Sequence, residues 1–575
     1  MLLTLALLGC TDDPKDSGDP VDTGEPCTEL TWGADADGDG YGNPDFTQSA
    51  CEQPSGYVED LTDCDDGDAD IHPGVDGGFV DADGDGFGDL DSPADACDET
   101  GVDNFDDCDD ASDAVHPDAE EVCGDGVDND CSADSSECDL LGEVSLGESW
   151  TIVTGNAGDQ LGGPVRSLGE WNGNIAFAAS ARGDDTNGDG AGAVHVFNAV
   201  ENAGMTTSNA QATYTGGSAG SGLFAVWPAG GDATGDGVDD LIVSSRVDEA
   251  VYLHPYGGTG TIDATSGITL SGTEGNVDFG VLAEVGDLDG DGFADLVVNA
   301  QKADSKAGAT WVFHGPLSAS GNDTDLGVKL TGANVNDQAA GLAGVGDLDG
   351  DGLPDFAVGA PFADGTGTDS GAVYVILNDG SGGGALVDNA EAILWGSDGD
   401  QAGWGIAGAG DHDGDGLDDM LIGVQRDDAT ADNANEGAVY LVTDAGTGEG
   451  DLEALASVRM LGDAVDDRIS NSAGGDANGD GNPDVLIGTR LNDEGGADAG
   501  SAYLFYGPMT AGSISVGGAD VQVVGSNAGD GLGAPAGFAG DVDGDGTEDL
   551  LLGARWNDNG GEDAGRAYIL LGQGI

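Results

Sequence analysis

From residue 145 to the C-terminus, short apolar runs alternate with loops rich in glycine and carboxylate, and the runs recur in a fixed order. One kind follows each acidic loop: AFAASAR, DLIVSSR, DLVVNAQ, DFAVGAP, DMLIGVQ, DVLIGTR and DLLLGAR. A second kind comes next: GAVHVFN, EAVYLHP, GATWVFH, GAVYVIL, GAVYLVT, GSAYLFY and GRAYILL. A third kind ends in glycine: TIVTG, ATYTG, ITLSG, VKLTG, AILWG, VRMLG and QVVG. Runs of this length, rich in β-branched residues and bounded by glycine, read as buried strands. The glycine-rich stretch before each loop supplies a fourth strand. Four short strands repeating seven times at about 55 to 65 residues predict an all-β, seven-bladed β-propeller over 145–575. A β-helix is the rival, but its rungs are much shorter.

The order of the runs predicts how the ring closes. The chain ends on a run of the second kind, and the first repeat opens on an unpartnered run of the third kind, Trp150 to Gly155. Pairing that strand with Ala567 to Leu571 would remove two open sheet edges.

The acidic loops carry the candidate chemistry. In D-x-D-x-D-G-x-x-D, carboxylates at positions 1, 3, 5 and 9 converge when the chain curls, and glycine permits the sharp turn. Hard oxygen ligands in that number favour Ca²⁺ over transition metals. The full loops offer Asp287, Asp289, Asp291 and Asp295; Asp347, Asp349, Asp351 and Asp355; and Asp411, Asp413, Asp415 and Asp419. Two more offer Asp476, Asn478, Asp480 and Asp484, and Asp541, Asp543, Asp545 and Asp549. An earlier copy keeps Asp232, Asp236 and Asp240 but has Thr234 at the third position, and the earliest, Leu168 to Ala176, has lost its first and ninth carboxylates.

With DFG at Asp278 to Gly280 and GAP at Gly359 to Pro361, these repeats resemble the FG-GAP repeat of integrin α-chain heads. The resemblance implies acidic loops on one face of the ring, holding structural calcium, and a binding or adhesion role.

A different module precedes the ring. Residues 27–138 hold two related halves, DADGDGYGN followed by DCDDGDADIHPG and DADGDGFGD followed by DCDDASDAVHPD, then CGDGVDNDC. Asp35, Asp37, Asp39 and Asn43 are candidate ligands for one ion, and Asp81, Asp83, Asp85 and Asp89 for another. So polar a segment cannot bury enough apolar area to fold by that means alone, so ions and disulfides are expected to form its core. Apart from Cys10, every cysteine lies before residue 140: Cys27, Cys51, Cys64, Cys97, Cys108, Cys123, Cys131 and Cys138. Their even number and wide spacing predict disulfides in an oxidising compartment rather than a thiolate metal site. Proximity and repeat position favour Cys51–Cys64, Cys97–Cys108 and Cys123–Cys131. The module resembles the metal-binding repeat of MopE-type bacterial surface proteins and the thrombospondin type 3 repeat. MopE-type proteins include copper binders, and His72 and His116 occupy matching places before proline. Two isolated histidines without a nearby Met or free Cys make a poor copper site, and a turn that tolerates His is the plainer reading.

The opening MLLTLALLGC resembles a bacterial lipobox, which implies a signal peptide over 1–9, a lipid-modified Cys10 and an acidic tether over 10–26. It departs from that pattern in a short apolar run with no basic residue before it. An exported outer-membrane or cell-surface lipoprotein of a Gram-negative bacterium, or a secreted form, is expected, touching membrane only through its lipid.

Charge narrows the partners. With 112 Asp+Glu against 13 Lys+Arg, the chain carries a formal charge of −99 and repels nucleic acid. Cations are its natural partners. No catalytic constellation stands out, since paired carboxylates are everywhere, His412 lies inside a loop, and His195, His254 and His314 read as incidental strand-end residues. The expectation is a non-enzymatic, calcium-stabilised scaffold for a surface protein or a glycan, with Trp227, Trp395 and Trp404 either serving a glycan or, equally from their Gly-flanked settings, packing between blades. Metal scavenging by the N-terminal module and an accessory role in a hydrolytic system are the alternatives.

Overall fold

A computed structural model describes residues 28–73, parts of 76–131, and 142–572 except 224, 229–230, 276, 340, 378–381, 428–434 and 470. The described residues fall into two compact units, one drawn from residues up to 133 and the other running on to the C-terminus. The smaller unit contains two related three-stranded sheets. In one, Leu30–Ala34 lies between Asn43–Ala50 and Tyr57–Val58; in the other, Asp76–Val80 lies between Pro93–Asp95 and Gly101–Val102.

The larger unit is built from seven five-stranded sheets. Blade 4 shows the plan. Gly341–Gly346, Asp355–Ala360, Ala372–Ile376 and Ala392–Trp395 run antiparallel from the centre outward. The innermost strand of each blade lies against those of its neighbours, and the last, Ala536–Gly540, lies against the first, Leu161–Trp171, so the ring is closed. The second strand of blade 4 is buried at every position, as are its counterparts Asp240–Ser245, Asp295–Ala300, Asp419–Val424, Asp484–Thr489 and Asp549–Ala554. Both of its faces are covered by adjacent blades, which is why these runs are continuously apolar rather than alternating. Val297, Val312 and Leu330 of blade 3 pack with Phe356, Val358 and Tyr374 of blade 4 in one cluster, so the core lies between the blades. Each such large side chain contributes about 1.5–3 kcal/mol by leaving water.

The fifth strand was not foreseen. Blade 4 is extended by Gly448–Asp451, which pairs parallel to Ala392–Trp395 and comes from the next repeat. Every blade has such a strand on its outer edge. Most of its side chains are exposed, as Gly448–Asp451 and Gly512–Ser515 illustrate, so no apolar run announces it. A helical turn then leads into the next fourth strand and buries one apolar side chain, Leu386, Leu452 or Val516.

Closure follows the expected pairing and extends it. Thr151–Thr154 pairs antiparallel with Arg566–Leu570, Ala567 opposite Val153 and Tyr568 opposite Ile152. Just before it, Gly142–Val144 adds a fifth strand to blade 6, parallel to Val521–Val524. Leu146, in the helical turn between them, is buried like its counterparts. The stretch 142–154 is thus the outer half of the seventh repeat, placed at the front of the ring.

Val153 is fully buried against the last blade. Val153→Asp should destabilise the ring by about 3 kcal/mol or more, while Val247→Asp, at an exposed site, should stay within about 0.5 kcal/mol. Denaturant midpoints of the two variants check this.

Candidate metal centre

Each acidic loop folds around its own first carboxylate. In 287–295, Asp287 accepts the N–H groups of Gly290 (2.8 Å) and Gly292 (2.8 Å). Asp289 accepts from Asp291 (3.1 Å) and Asp291 from Phe293 (2.9 Å). Gly290 and Gly292 sit at φ +75 and +93, a conformation that disfavours any side chain. The loop closes on Asp295, fully buried at the head of the second strand, which accepts from Leu288 at 2.8 Å. The same bonds recur in 347–355, 411–419 and 541–549, and in 476–484 Asp476 keeps the Gly481 N–H and Asp484 that of Ala477, while Asp476 Oδ1 is buried without a donor. Asp287, Asp289 and Asp291, and likewise Asp347, Asp349 and Asp351, bring one oxygen each within 4.8 Å of one another.

The two weaker copies differ as their sequences do. In 232–240 the Thr234 hydroxyl bonds to Asp240 at 3.3 Å, so a neutral oxygen replaces the carboxylate of the third position and the turn survives. Where the first loop is lost, Asn172 and Gly173, both at positive φ, make a tight hairpin turn between the inner and second strands.

The smaller unit repeats the turn. Asp35 accepts from Gly38 (2.7 Å), Asp37 from Asp39 (3.3 Å) and Asp39 from Tyr41 (2.8 Å). Asp81, Asp83 and Asp85 form the matching set, and both triads gather oxygens within 4.8 Å. Asn43 opens the next strand, and its Oδ1 accepts from Asp45. A further carboxylate, Asp63, reaches the first cluster. It is buried, its N–H donates to Gly42, and burial together with the Asp39 and Asp37 charges raises its pKa against the opposing Asp65 N–H. Oδ2 of Asp37, Asp39 and Asp63 are all buried without a hydrogen-bond donor. Asp107 occupies the same place in the second half, with its N–H to Gly88 and its Oδ1 accepting from Asp109. The signal was present in both halves as the Asp before Cys64 and before Cys108.

The disulfide expectation needs correction. Cys108 bonds to Cys131, 5.7 Å away between Cα atoms, so neither Cys97–Cys108 nor Cys123–Cys131 forms. The Cys108 N–H points at the Cys131 sulfur, 3.2 Å away, and the closing segment is thereby held to the second DCD turn rather than stapled within itself. Cys51 and Cys64 each take part in a disulfide. Cys10, Cys27, Asp89, Cys97, Cys123 and Cys138 lie outside the described residues.

Comparison with known proteins matches this geometry. The FG-GAP repeat family matches residues 340–376 and 534–570, and the FG-GAP-like repeat family matches 232–298. The chain carries FG-GAP repeats. The family described as "Putative metal-binding motif", of the MopE type, matches 63–76 and 107–137, the two D-C-D turns. Mouse integrin alpha-7 is 33% identical over 194 residues, 33% of this chain and 15% of that protein. Integrin alpha-5 of Xenopus laevis is 31% identical over 160 residues, 25% of this chain and 15% of that protein. A Dictyostelium discoideum phosphatidylinositol-glycan-specific phospholipase D is 27% identical over 177 residues, 26% of this chain and 19% of that protein. The chain therefore spans under a fifth of the length of each of these relatives.

Within the FG-GAP ring the histidines separate. His314 stands 3.6 Å from Asp289 and 3.5 Å from Asp295, forming a cluster with them; its sequence setting did not foretell this. His412 is buried, and its Nε2 accepts the Met509 N–H of the next repeat, so it ties blades together. His254 is buried against the Ala264 carbonyl. In the smaller unit, His72 stacks on Tyr41 at 4.5 Å and His116 on Phe87 at 5.2 Å, each ring lying on the aromatic residue of its loop.

Burial pushes the ninth carboxylates of the FG-GAP loops up, Asp240 and Asp419 to about 6, Asp484 and Asp549 to about 7. Neighbouring loop carboxylates add to the rise, against the lowering effect of N–H donors. An unfolded Asp titrates near 3.9, so between about 4 and 7 the metal-free folded chain binds more protons than the unfolded one, and its stability falls as pH rises. In EDTA the melting temperature should be higher at pH 5 than at pH 8. With millimolar Ca²⁺ the order should reverse, because protons then compete with the ion.

Asp63→Asn should weaken metal binding by the smaller unit about tenfold, through loss of one ligand charge, while the exposed Asp45→Asn should not. Calorimetric titration of the two variants measures the difference.

Proposed function

We propose that this chain is a non-catalytic binding scaffold of the cell surface, held in shape by calcium in both units. The observation that carries the reading is the set of Asp35, Asp37 and Asp39 oxygens gathered within 4.8 Å of one another, with Oδ2 of Asp37, Asp39 and the nearby Asp63 buried without a donor. Carboxylates in that arrangement need a hard cation, and all-oxygen sites of this kind suit Ca²⁺. The ligand sets proposed are Asp35, Asp37, Asp39 and Asp63; Asp81, Asp83, Asp85 and Asp107; and the carboxylates of the five full FG-GAP loops, with His314 beside the 287–295 site.

Energetics favour a structural role for the ion. Free calcium tenfold above a site's dissociation constant stabilises by roughly 1.4 kcal/mol per site, so five sites add on the order of 7 kcal/mol, comparable with a whole domain's stability. A catalytic reading finds little support in the histidines. His195 is held between Thr213 (3.0 Å) and Asp184 (3.6 Å) but is only 3% exposed, too enclosed to meet a substrate. The integrin relatives support a binding role.

The proposed organisation is a signal peptide over 1–9, lipidation at Cys10, a tether over 10–26, the metal-binding module over 27–138 and the propeller over 145–575. Among the described residues no helix is long and apolar enough to cross a membrane. Capture of a metal at the cell surface is the second reading, favoured by the match to the metal-binding motif. The stacked settings of His72 and His116 weigh against copper as that metal.

EDTA should lower the melting temperature of the full chain by about 10 °C or more, and elemental analysis of the untreated protein should find calcium rather than copper. An unchanged melt would overturn the reading. Copper that resists millimolar Ca²⁺ would establish capture in its place.

A further inference from the structure

The residue that follows the second strand of each blade is Arg182, Arg246, Gln301, Pro361, Gln425, Arg490 and Arg555, in chain order. Around the closed ring, the four arginines belong to consecutive blades: 6, 7, 1 and 2. All four, with Arg166 of the first inner strand, line one cavity of about 470 Å³. Five of the chain's 13 basic residues therefore meet at one place, and none of that cavity's lining residues is acidic, in a chain with 112 carboxylates. Arg166 also lines the cavity of about 590 Å³ between the inner strands, so this is one mouth of the central channel. The acidic loops enter the second strands and the arginines leave them, about 20 Å apart for six residues at 3.3 Å each.

The arginines are held in place. Arg490 and Arg555 lie over the ring of Trp556, 5.7 and 3.9 Å from its centroid. Arg166 Nη1 donates to the Val165 carbonyl, and Asp278 beside Arg246 is itself bridged to Lys302 at 2.6 Å. Arg555 Nε is buried with no acceptor. Burial, followed by repulsion from Arg490 and Arg182, lowers the Arg555 pKa. Like charges gathered in this way repel, and a bound anion relieves the cost. Trp404, 43% exposed and set edge-on to Phe362, lines the same cavity and offers an aromatic surface to a sugar ring.

We propose that this mouth binds an acidic sugar, with the arginine forks on its carboxylates and Trp404 against its ring; the proposal rests on the scaffold reading and names its ligand. Guanidinium forks match carboxylates in a bidentate way. The acidity of the surrounding surface repels nucleic acid and other dense polyanions, so the site favours a short or sparsely charged ligand.

The test is calorimetric titration of the calcium-loaded full chain with trigalacturonate, a neutral trisaccharide and sodium sulfate. Trigalacturonate should bind, the neutral sugar should not, and sulfate should bind more weakly. The double variant Arg490→Gln/Arg555→Gln should weaken trigalacturonate binding about tenfold or more, as should Arg182→Gln, whose exposed position spares the fold. Trp404→Ala should weaken trigalacturonate but not sulfate. No binding of trigalacturonate by protein whose calcium-dependent melt is intact overturns the proposal and leaves the scaffold standing. Equal binding by the arginine variants, or sulfate binding as tightly as the sugar, overturns it as well. A melt indifferent to EDTA is instead a failure of the scaffold reading.

Discussion

Carboxylates brought within a few ångströms of one another repel, and both units are built on turns that do this repeatedly. The backbone meets part of the cost. In the propeller loop 287–295 the first Asp is wrapped in glycine N–H groups, and the buried last Asp takes another N–H at the head of a fully buried strand. These bonds make loop and strand one piece, so whatever neutralises the loop also steadies the blade core behind it. Among the described residues of the smaller unit, few apolar side chains are buried, Trp32 and Val115 among them, and the same turns and disulfides brace the fold.

Charge is distributed as well as plentiful. The second strand of each blade begins at an acidic turn, and in four neighbouring blades it ends at an arginine. An apolar strand buried on both faces separates the two, so opposite charges stand at opposite ends of one packed layer. A ring with this polarity presents two chemically unlike faces, although its repeats are nearly alike in backbone.

Blade number, strand order, the acidic turns and the closing strand were all legible in the sequence, because each leaves a periodic mark: continuous apolar runs, fixed glycines, alternating Asp. What escaped lacks such a mark. The fifth strands are short and mostly exposed, and no apolar run marks them. Asp63 and Asp107 join their clusters from more than 20 residues away, and His314 meets Asp289 and Asp295 from the end of the adjacent strand, so no local spacing reports either. The Cys108–Cys131 bond was missed because proximity in sequence stood in for proximity in space. The arginines were visible one by one, but only closure of the ring makes Arg490 and Arg555 neighbours of Arg182 and Arg246.

Residues 142–154 are made before any blade, yet they pair with residues 521–524 and 566–570. During synthesis the outer half of the last repeat must wait, unpaired, until more than 350 further residues have followed it. Five-stranded blades can form in order as their repeats emerge, but the first segment of the ring to appear is among the last to find its place. Such long-range pairing is slow and leaves strand edges open meanwhile. The dense negative charge then has a second use. It keeps nascent chains apart during the interval in which their edges would otherwise find one another.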